Sequence, residues 1–450
     1  MTKNGSPAAA RISAFGTGVP GARPALILLL AINLFNYIDR YILAALLTPI
    51  ENDLLPAGGE HNKTLLGLLV PAFMVTYMLF APVFGWLADR MSRWVLIAIG
   101  VIIWSLACGA SGLSGSYVEL HPDTNLREVA FFGAGWLFWF LVLTRCLVGI
   151  GEAAYGPAAP ALISDLYPVK VRGQVMSWFY AAIPVGSALG YVWGGHAGWP
   201  DAFYWVIPPG LILGVLCLLM REPARGQTDL QDPSRIRHAG LKDYLWLLRN
   251  RSYLLATLGY TAATFVVGGI GTWMPYYLEN YRHEPREQAN YYFGMITVVA
   301  GLTATLLGGL AGDWLRSRFP GSYFLVSAGG MLVGFPLFLA VLVTPLPWAW
   351  VLIFLTCFCL FFNTGPVNTI LANVTHPALR APGFALNILI IHAFGDVISP
   401  LIIGAIADWK NLNVSFLAMS GMILLSAAFW FVGMPFLARD TERAPTSLPD

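Results

Sequence analysis

The chain has 450 residues, 57% hydrophobic and only 11% charged, with a formal net charge of +2 and a mean hydropathy of +0.65. Soluble domains carry roughly 25% charged residues, so this composition describes an integral membrane protein. With no basic block it excludes a nucleic-acid arm. The five cysteines (Cys108, Cys146, Cys217, Cys357, Cys359) lie in apolar stretches without metal-ligand spacing or secretory pairing, and read as small core hydrophobes.

In chain order, residues 1–23 are rich in Gly, Pro, Ala and Ser and lack a short apolar core with a cleavage site. A disordered cytoplasmic tail is expected there, not a signal peptide. At about 20 apolar residues per span, twelve helices follow. The first six are expected at 24–48, 64–88, 94–113, 131–165, 172–194 and 201–220. The next six are expected at 252–279, 288–311, 322–343, 347–374, 381–407 and 413–438. The fold class is an all-α polytopic membrane protein of two six-helix pseudo-repeats, 24–220 and 252–438. Between them, 221–251 is a polar cytoplasmic linker whose stretch Leu241–Arg249 suits an amphipathic helix on the membrane surface. Residues 439–450 form a cytoplasmic tail.

Helix 1 carries the polar run Asn33-Leu34-Phe35-Asn36-Tyr37-Ile38-Asp39-Arg40-Tyr41. A charge at bilayer depth costs at least ~2.5–3.5 kcal/mol, so it usually faces a protein interior or a water-filled cavity. Helical spacing puts Asn33, Asn36, Tyr37 and Arg40 on one face with Asp39 at its edge. Asp39 and Arg40 are sequence neighbours and pair poorly with each other, so each needs a partner on another helix. Two readings follow: a buried ion pair that locks helices together, or a substrate or proton site.

Orientation follows from basic residues. With both termini in the cytoplasm, inner segments hold 19 Lys and Arg and outer loops 5, leaving Arg40 and Arg145 inside the membrane. An internal repeat supports two parallel halves. Gly85-x3-Asp89-Arg90 after helix 2 returns as Gly309-x3-Asp313 with Arg316 after helix 8. Gly156-Pro157 in helix 4 returns as Gly365-Pro366 in helix 10.

Gly85-x3-Asp89-Arg90-x2-Arg93 resembles the signature loop of the major facilitator superfamily, and Arg145-x3-Gly149-x-Gly151 resembles its helix-4 motif. Asn36–Tyr41 and Gly395–Pro400, with Gly404 and Asp408, resemble the spinster branch. The resemblance implies a major facilitator fold and transport of an amphipathic anionic lipid such as sphingosine-1-phosphate or a lysophospholipid. The alternative is a carrier of a small organic anion, sugar acid or drug with the same fold.

Arg145 and Glu152 are two turns apart on one face of helix 4, too far for an i,i+4 pair, so both are expected to engage helix 1. Asp39, Arg40, Arg145 and Glu152 form the expected proton-coupling and substrate network, with either carboxylate as the proton carrier. A static clamp between helices 1 and 4 is the bland rival. Candidate cavity residues are Asn33, Asn36 and Tyr37 in the first half. In the second half they are Tyr260 and Thr264 on helix 7, Asn363 and Asn368 on helix 10, and Asn387 and His392 on helix 11. His392 and Asp396 stand at i,i+4 and can pair. Gating is expected from Asp89, Arg90, Arg93 and Asp165 at the cytoplasmic mouth, with Asp313 and Arg316 as their second-half counterparts.

No G-x4-G-K-[ST], H-E-x2-H or G-x-S-x-G stands out, which points to neither an ATP-driven pump nor an enzyme. The expected driving force is a proton gradient with no cofactor or metal. Expected partners are the substrate, protons and the lipid bilayer. The chain is expected to be monomeric in a plasma or inner membrane.

Overall fold

The computed structural model describes residues 18–88, 90–120, 134–225, 246–376 and 379–444, with the backbone alone at 169, 170, 173, 174, 177, 381 and 382. Asp89 and most of the expected linker helix lie outside the described residues; of that stretch, 246–249 is helical.

Six membrane-length helices make up the first half. They are α1 (Ala22–Ala45, continued as Leu47–Leu54), α2 (Asn62–Ala88), α3 (Arg93–Leu120), α4 (Trp136–Ala153, continued as Tyr155–Leu166), α5 (Val169–Ala197) and α6 (Asp201–Tyr204 and Ile207–Leu218). The second half holds α7 (Arg251–Arg282), α8 (Arg286–Arg316), α9 (Ser322–Val343), α10 (Trp348–Phe361 and Thr364–Val374), α11 (Arg380–Ile391, a π-turn His392–Asp396, then Ser399–Trp409) and α12 (Leu412–Gly433, Met434–Phe436, Leu437–Arg443). Eleven of these are long and apolar enough to cross a membrane, and α5 is a continuous helix of 29 residues. Helix 3 runs seven residues beyond its expected end, because Gly112 and Gly115 let it pack on Tyr204, Trp199 and Pro200. The start of the expected C-terminal tail is the last turn of α12, where Asp440 accepts hydrogen bonds from the Ser252 N–H and hydroxyl (3.0 and 2.8 Å) and caps α7.

Four helices break at the same place relative to a proline. The first pieces of α1 and α4 end at Ala45 and Ala153, four residues before Pro49 and Pro157. The first piece of α10 ends at Phe361, five before Pro366, and the π-turn of α11 ends at Asp396, four before Pro400; the residue three before the proline is non-helical in all four. A proline ring clashes with the carbonyl four residues back and offers it no N–H, so the helix yields there.

Glycine rows set the packing. Gly186, Gly190 and Gly194, four apart on α5, bring it against the backbone of α1 at Leu34, Ile38 and Ile42. Small residues at that spacing let two membrane helices approach closely. Gly308 of α8 lies against the Phe362 carbonyl of α10, where a Cβ would collide, while Gly309 faces open space. Gly308→Ala is therefore expected to cost about 1–3 kcal/mol by overpacking, read as a lower unfolding midpoint in detergent. Gly309→Ala should leave that midpoint unchanged or raise it.

The halves pack along α5 and α8 as far as Pro184 and Gly301 and are joined by polar contacts at one end, where α1 runs out and α2 begins. There Asp408 of α11 accepts from the Lys63 and Thr64 N–H groups (2.9 and 2.7 Å) and the Thr64 hydroxyl (2.6 Å), closing the first turn of α2. Glu51 accepts from the Tyr276 hydroxyl at 2.5 Å and pairs with Lys63, Asn280 donates to Thr48, and Tyr191 donates to the Gly271 carbonyl. Gly67 abuts Pro400 and Gly404 abuts Lys63 along the same seam. The polar contacts that the described residues make between the halves all sit at this end.

Candidate functional site

The deep polar stretch of α1 is met by α2, α3, α4 and α5. The Arg40 guanidinium donates from Nε to Glu152 Oε2 of α4 at 2.8 Å, and its Nη2 lies 2.6 Å from the same oxygen. It also lies over three rings: Phe73 at 4.8 Å, Tyr37 at 5.0 Å and Tyr77 at 5.6 Å from their centroids. The Arg40 side chain keeps 21% of its surface exposed, whereas that of Glu152 is sealed. Only Oε2 of Glu152 is engaged; Oε1 is buried and has no hydrogen-bond partner among the described residues.

Asp39 lies about 100° round the helix from Arg40 and faces other neighbours. It is fully buried, and neither carboxylate oxygen accepts a hydrogen bond from a described residue. Glu152, Arg145 and Trp104 are its polar neighbours. Arg145 was expected to engage helix 1; its charge acts on Asp39 there, but its hydrogen bond goes to another helix. Its Nη2 donates to the Ser111 hydroxyl of α3 at 2.6 Å, and its guanidinium stands 5.3 Å from the Phe203 ring of α6. Arg145 thus reaches Asp39 through its field and α3 through its hydrogen bond.

Not every polar residue on the predicted face opens to a cavity. Asn33 spends its amide on the Phe179 carbonyl of α5 at 2.7 Å, so it ties α1 to α5. Asn36 is buried beside Glu152, and Tyr37 is one wall of the Arg40 cage. In the second half, Tyr260 sits beside Thr364 and Asn368. The Thr264 hydroxyl is 3.1 Å from the Ile391 carbonyl of α11. Asn363 and Asn368 donate within their own helix, to the Leu360 and Thr364 carbonyls. Asn387 is buried with its Oδ1 unpartnered among the described residues. His392 Nδ1 lies 2.9 Å from the Asp396 carboxylate on the π-turn, where Gly395 leaves helical geometry at φ −107°, ψ −105°. That bend lies against Thr264 and Gly268 of α7.

The expected gate pair behaves differently from the expectation. Arg93 does bond Asp165, at 2.5 Å, and also Glu222 at 2.7 Å. All three belong to the first half, however, and the bonds exist while the polar contacts between the halves lie at the opposite end. Arg93 therefore clamps α3, α4 and the end of α6 and does not latch one half to the other. Glu222 reinforces it by accepting from the Arg93 N–H at 3.0 Å. Arg90 folds onto Trp86 of its own helix, 4.0 Å from the ring. Asp313 accepts from the Tyr323 hydroxyl at 2.6 Å, and Arg316 Nη1 lies 3.3 Å from the same oxygen, again within one half. Arg93→Gln should lower stability by about 3 kcal/mol, since it leaves two acids without their shared cation. Arg90→Gln should leave the unfolding midpoint where it is.

Sequence reading missed Phe73 and Tyr77, which stand four apart on α2 and look like ordinary core. It also missed Ser111, Trp104 and Glu222, and gave Asp408 no role. A polar residue at the first or last turn of an outer helix was the available signal for Asp408.

Comparison with known proteins places this arrangement. The family model of the Major Facilitator Superfamily matches residues 29–395. Protein spinster of Drosophila melanogaster is 35% identical over 84% of this chain, which spans 60% of the fly protein. Protein spinster homolog 3 of Danio rerio is 34% identical over 92% of this chain and 85% of its own length. The sphingosine-1-phosphate transporter SPNS2 of Mus musculus is 32% identical over 89% of this chain and 76% of its own. A bacterial homologue of the human lysosomal transporter spinster, solved in an inward-facing and unoccupied conformation, superposes with a TM-score of 0.77 at 22% identity, covering 94% of this chain and 98% of that one. The twelve-helix architecture, the charged α1–α4 core and these relatives agree: the chain is an integral membrane transporter, not an enzyme, and it belongs to the spinster branch of the Major Facilitator Superfamily.

Proposed function

We propose that this chain is a proton-coupled secondary carrier that moves an amphipathic, phosphate-bearing lipid, such as sphingosine-1-phosphate or a lysophospholipid, by alternating access. The observation that carries the reading is a balanced charge site inside an apolar bundle: two carboxylates, Asp39 and Glu152, against two guanidiniums, Arg40 and Arg145. A phosphomonoester headgroup such as that of sphingosine-1-phosphate, near two negative charges against one ammonium, adds one net negative charge to that balance, and one proton on a carboxylate restores it. Asp39 is the better acceptor of that proton, because Glu152 is bound to Arg40 while Asp39 has no hydrogen-bond donor of its own. Substrate and proton then travel together.

The seam at the Asp408 end is the closed gate and the opposite end is the open one. With the basic residues inside, the open mouth faces the cytoplasm and both termini lie there. Rocking the halves about the site would break the Asp408 seam and bring the other ends together. The substrate class rests on the relatives named as sphingosine-1-phosphate transporters.

Flux of labelled sphingosine-1-phosphate and lysophosphatidylcholine into proteoliposomes tests the reading. Saturable flux above protein-free vesicles is expected. Folded protein that moves neither lipid but moves a hexuronate or another small organic anion would overturn the lipid assignment.

A further inference from the structure

The site holds a feature that ion pairing of Arg40 does not need. Tyr37, Phe73 and Tyr77 each stand against the guanidinium, with centroids at 5.0, 4.8 and 5.6 Å, and the buried Glu152 carboxylate pairs with it. Glu152 still has a free acceptor there, its Oε1. Aromatic faces around a carboxylate are the chemistry that binds organic ammonium ions. In this structure the cage is filled by the protein's own cation. Arg40 is also partly exposed, with 21% of its side-chain surface accessible, while the Glu152 side chain is sealed.

We propose that the Tyr37–Phe73–Tyr77–Glu152 cage is the subsite for the ammonium group of a zwitterionic headgroup, and that Arg40 is its resident placeholder. A phosphate entering the site offers Arg40 a stronger partner than the rings do, and the guanidinium swings out to it. That leaves the cage and Glu152 with a net negative charge and three π-faces. An ammonium carried on the same headgroup fills the vacancy, so one substrate satisfies both halves of the separated Arg40–Glu152 pair. A headgroup with a phosphate alone can draw Arg40 out but leaves Glu152 bare. The site thereby selects amphiphiles that carry a cation beside their phosphate. This inference rests on the lipid-carrier reading and narrows it.

The test compares two acyl-matched lysolipids, lysophosphatidylcholine and lysophosphatidic acid, for binding to the full-length protein in detergent micelles. The readout is the ratio of their dissociation constants in the parent and in Phe73→Leu, Tyr77→Leu and Tyr77→Phe. Removing a ring weakens the cage for Arg40 in the free protein and for the ammonium in the complex, so choline-lipid affinity changes little. Lysophosphatidic acid, which evicts Arg40 without refilling the cage, binds tighter. The parent's preference for the choline lipid should therefore fall by roughly tenfold in the two leucine variants, while Tyr77→Phe, which keeps the ring, retains it. Because Tyr77 is partly exposed, its variants keep the test open if Phe73→Leu does not fold. Both lipids binding with a ratio unmoved by ring removal would overturn the cage and leave the lipid carrier standing. Folded protein that binds neither lipid would overturn both.

Discussion

Glu152→Gln is expected to cost roughly 3 kcal/mol of stability and to cut transport at least tenfold, and pairing it with a change at Arg40 should restore the first without the second. The reason lies in what the single substitution leaves behind. Arg40 keeps its charge, loses both contacts with Oε2, and stays in a cage of three rings that cannot neutralise it. Stripping one partner from a buried ion pair costs about 3–5 kcal/mol, whereas replacing both by apolar residues of similar size is often neutral. The lower end applies because the Arg40 side chain keeps 21% of its surface exposed. Arg40→Met with Glu152→Met should therefore unfold close to the parent temperature and carry no substrate. A double variant as unstable as either single one would show that the pair is a structural clamp whose loss the bundle cannot absorb. Unfolding followed by intrinsic fluorescence, beside flux, reads both quantities on one preparation.

Asp408→Ala should open the far end of the transporter. Its carboxylate is the cap of α2 although it belongs to the other half, and it accepts from two backbone N–H groups and one hydroxyl within 2.9 Å. All three bonds are lost when that end opens, so their full energy bears on the equilibrium between the two states. Hydrogen bonds to a charged group contribute about 1.5–3 kcal/mol and an N-cap about 0.5–2 kcal/mol. A loss near 2 kcal/mol shifts the closed-to-open ratio about 30-fold. Spin labels on cysteines placed at Glu60 and Lys410, both exposed beside the seam, in a background without the native cysteines, would report it. The long-distance population should grow strongly in Asp408→Ala and partly in Asp408→Asn, which keeps one acceptor. An unchanged distribution would mean that the glycine contacts at Gly67 and Gly404 hold the seam by themselves.

Much of the fold was legible because the membrane imposes a simple code. Runs of apolar residues gave the twelve spans, and basic residues gave an orientation. The interruptions were also written in the chain: Pro49, Pro157, Pro366 and Pro400 each follow a non-helical residue three positions upstream. The polar face of helix 1 pointed to Arg40 and Glu152 as members of one site, and they meet. What the face could not reveal was which neighbour each group would choose. Arg145 went to Ser111 because α3 comes closer to it than α1 does, a fact of packing and not of spacing. Phe73 and Tyr77 are indistinguishable in sequence from lipid-facing aromatics until α2 is docked. Arg93 and Asp165 were matched by charge correctly, but their placement within a single half, which removes them from the gate, depends on how α3, α4 and α6 pack. Asp408 shows the same limit, since its cap is on a helix more than 300 residues away in sequence.

The most direct test of the account is gradient-driven sphingosine-1-phosphate flux in proteoliposomes for the parent and for Asp39→Asn, with exchange of labelled for unlabelled lipid measured in parallel. The account predicts that an imposed pH gradient accelerates the parent several-fold. It predicts that Asp39→Asn still exchanges lipid but no longer responds to the gradient. An Asp39→Asn protein whose flux follows the pH gradient as the parent does would contradict the assignment of proton coupling to Asp39.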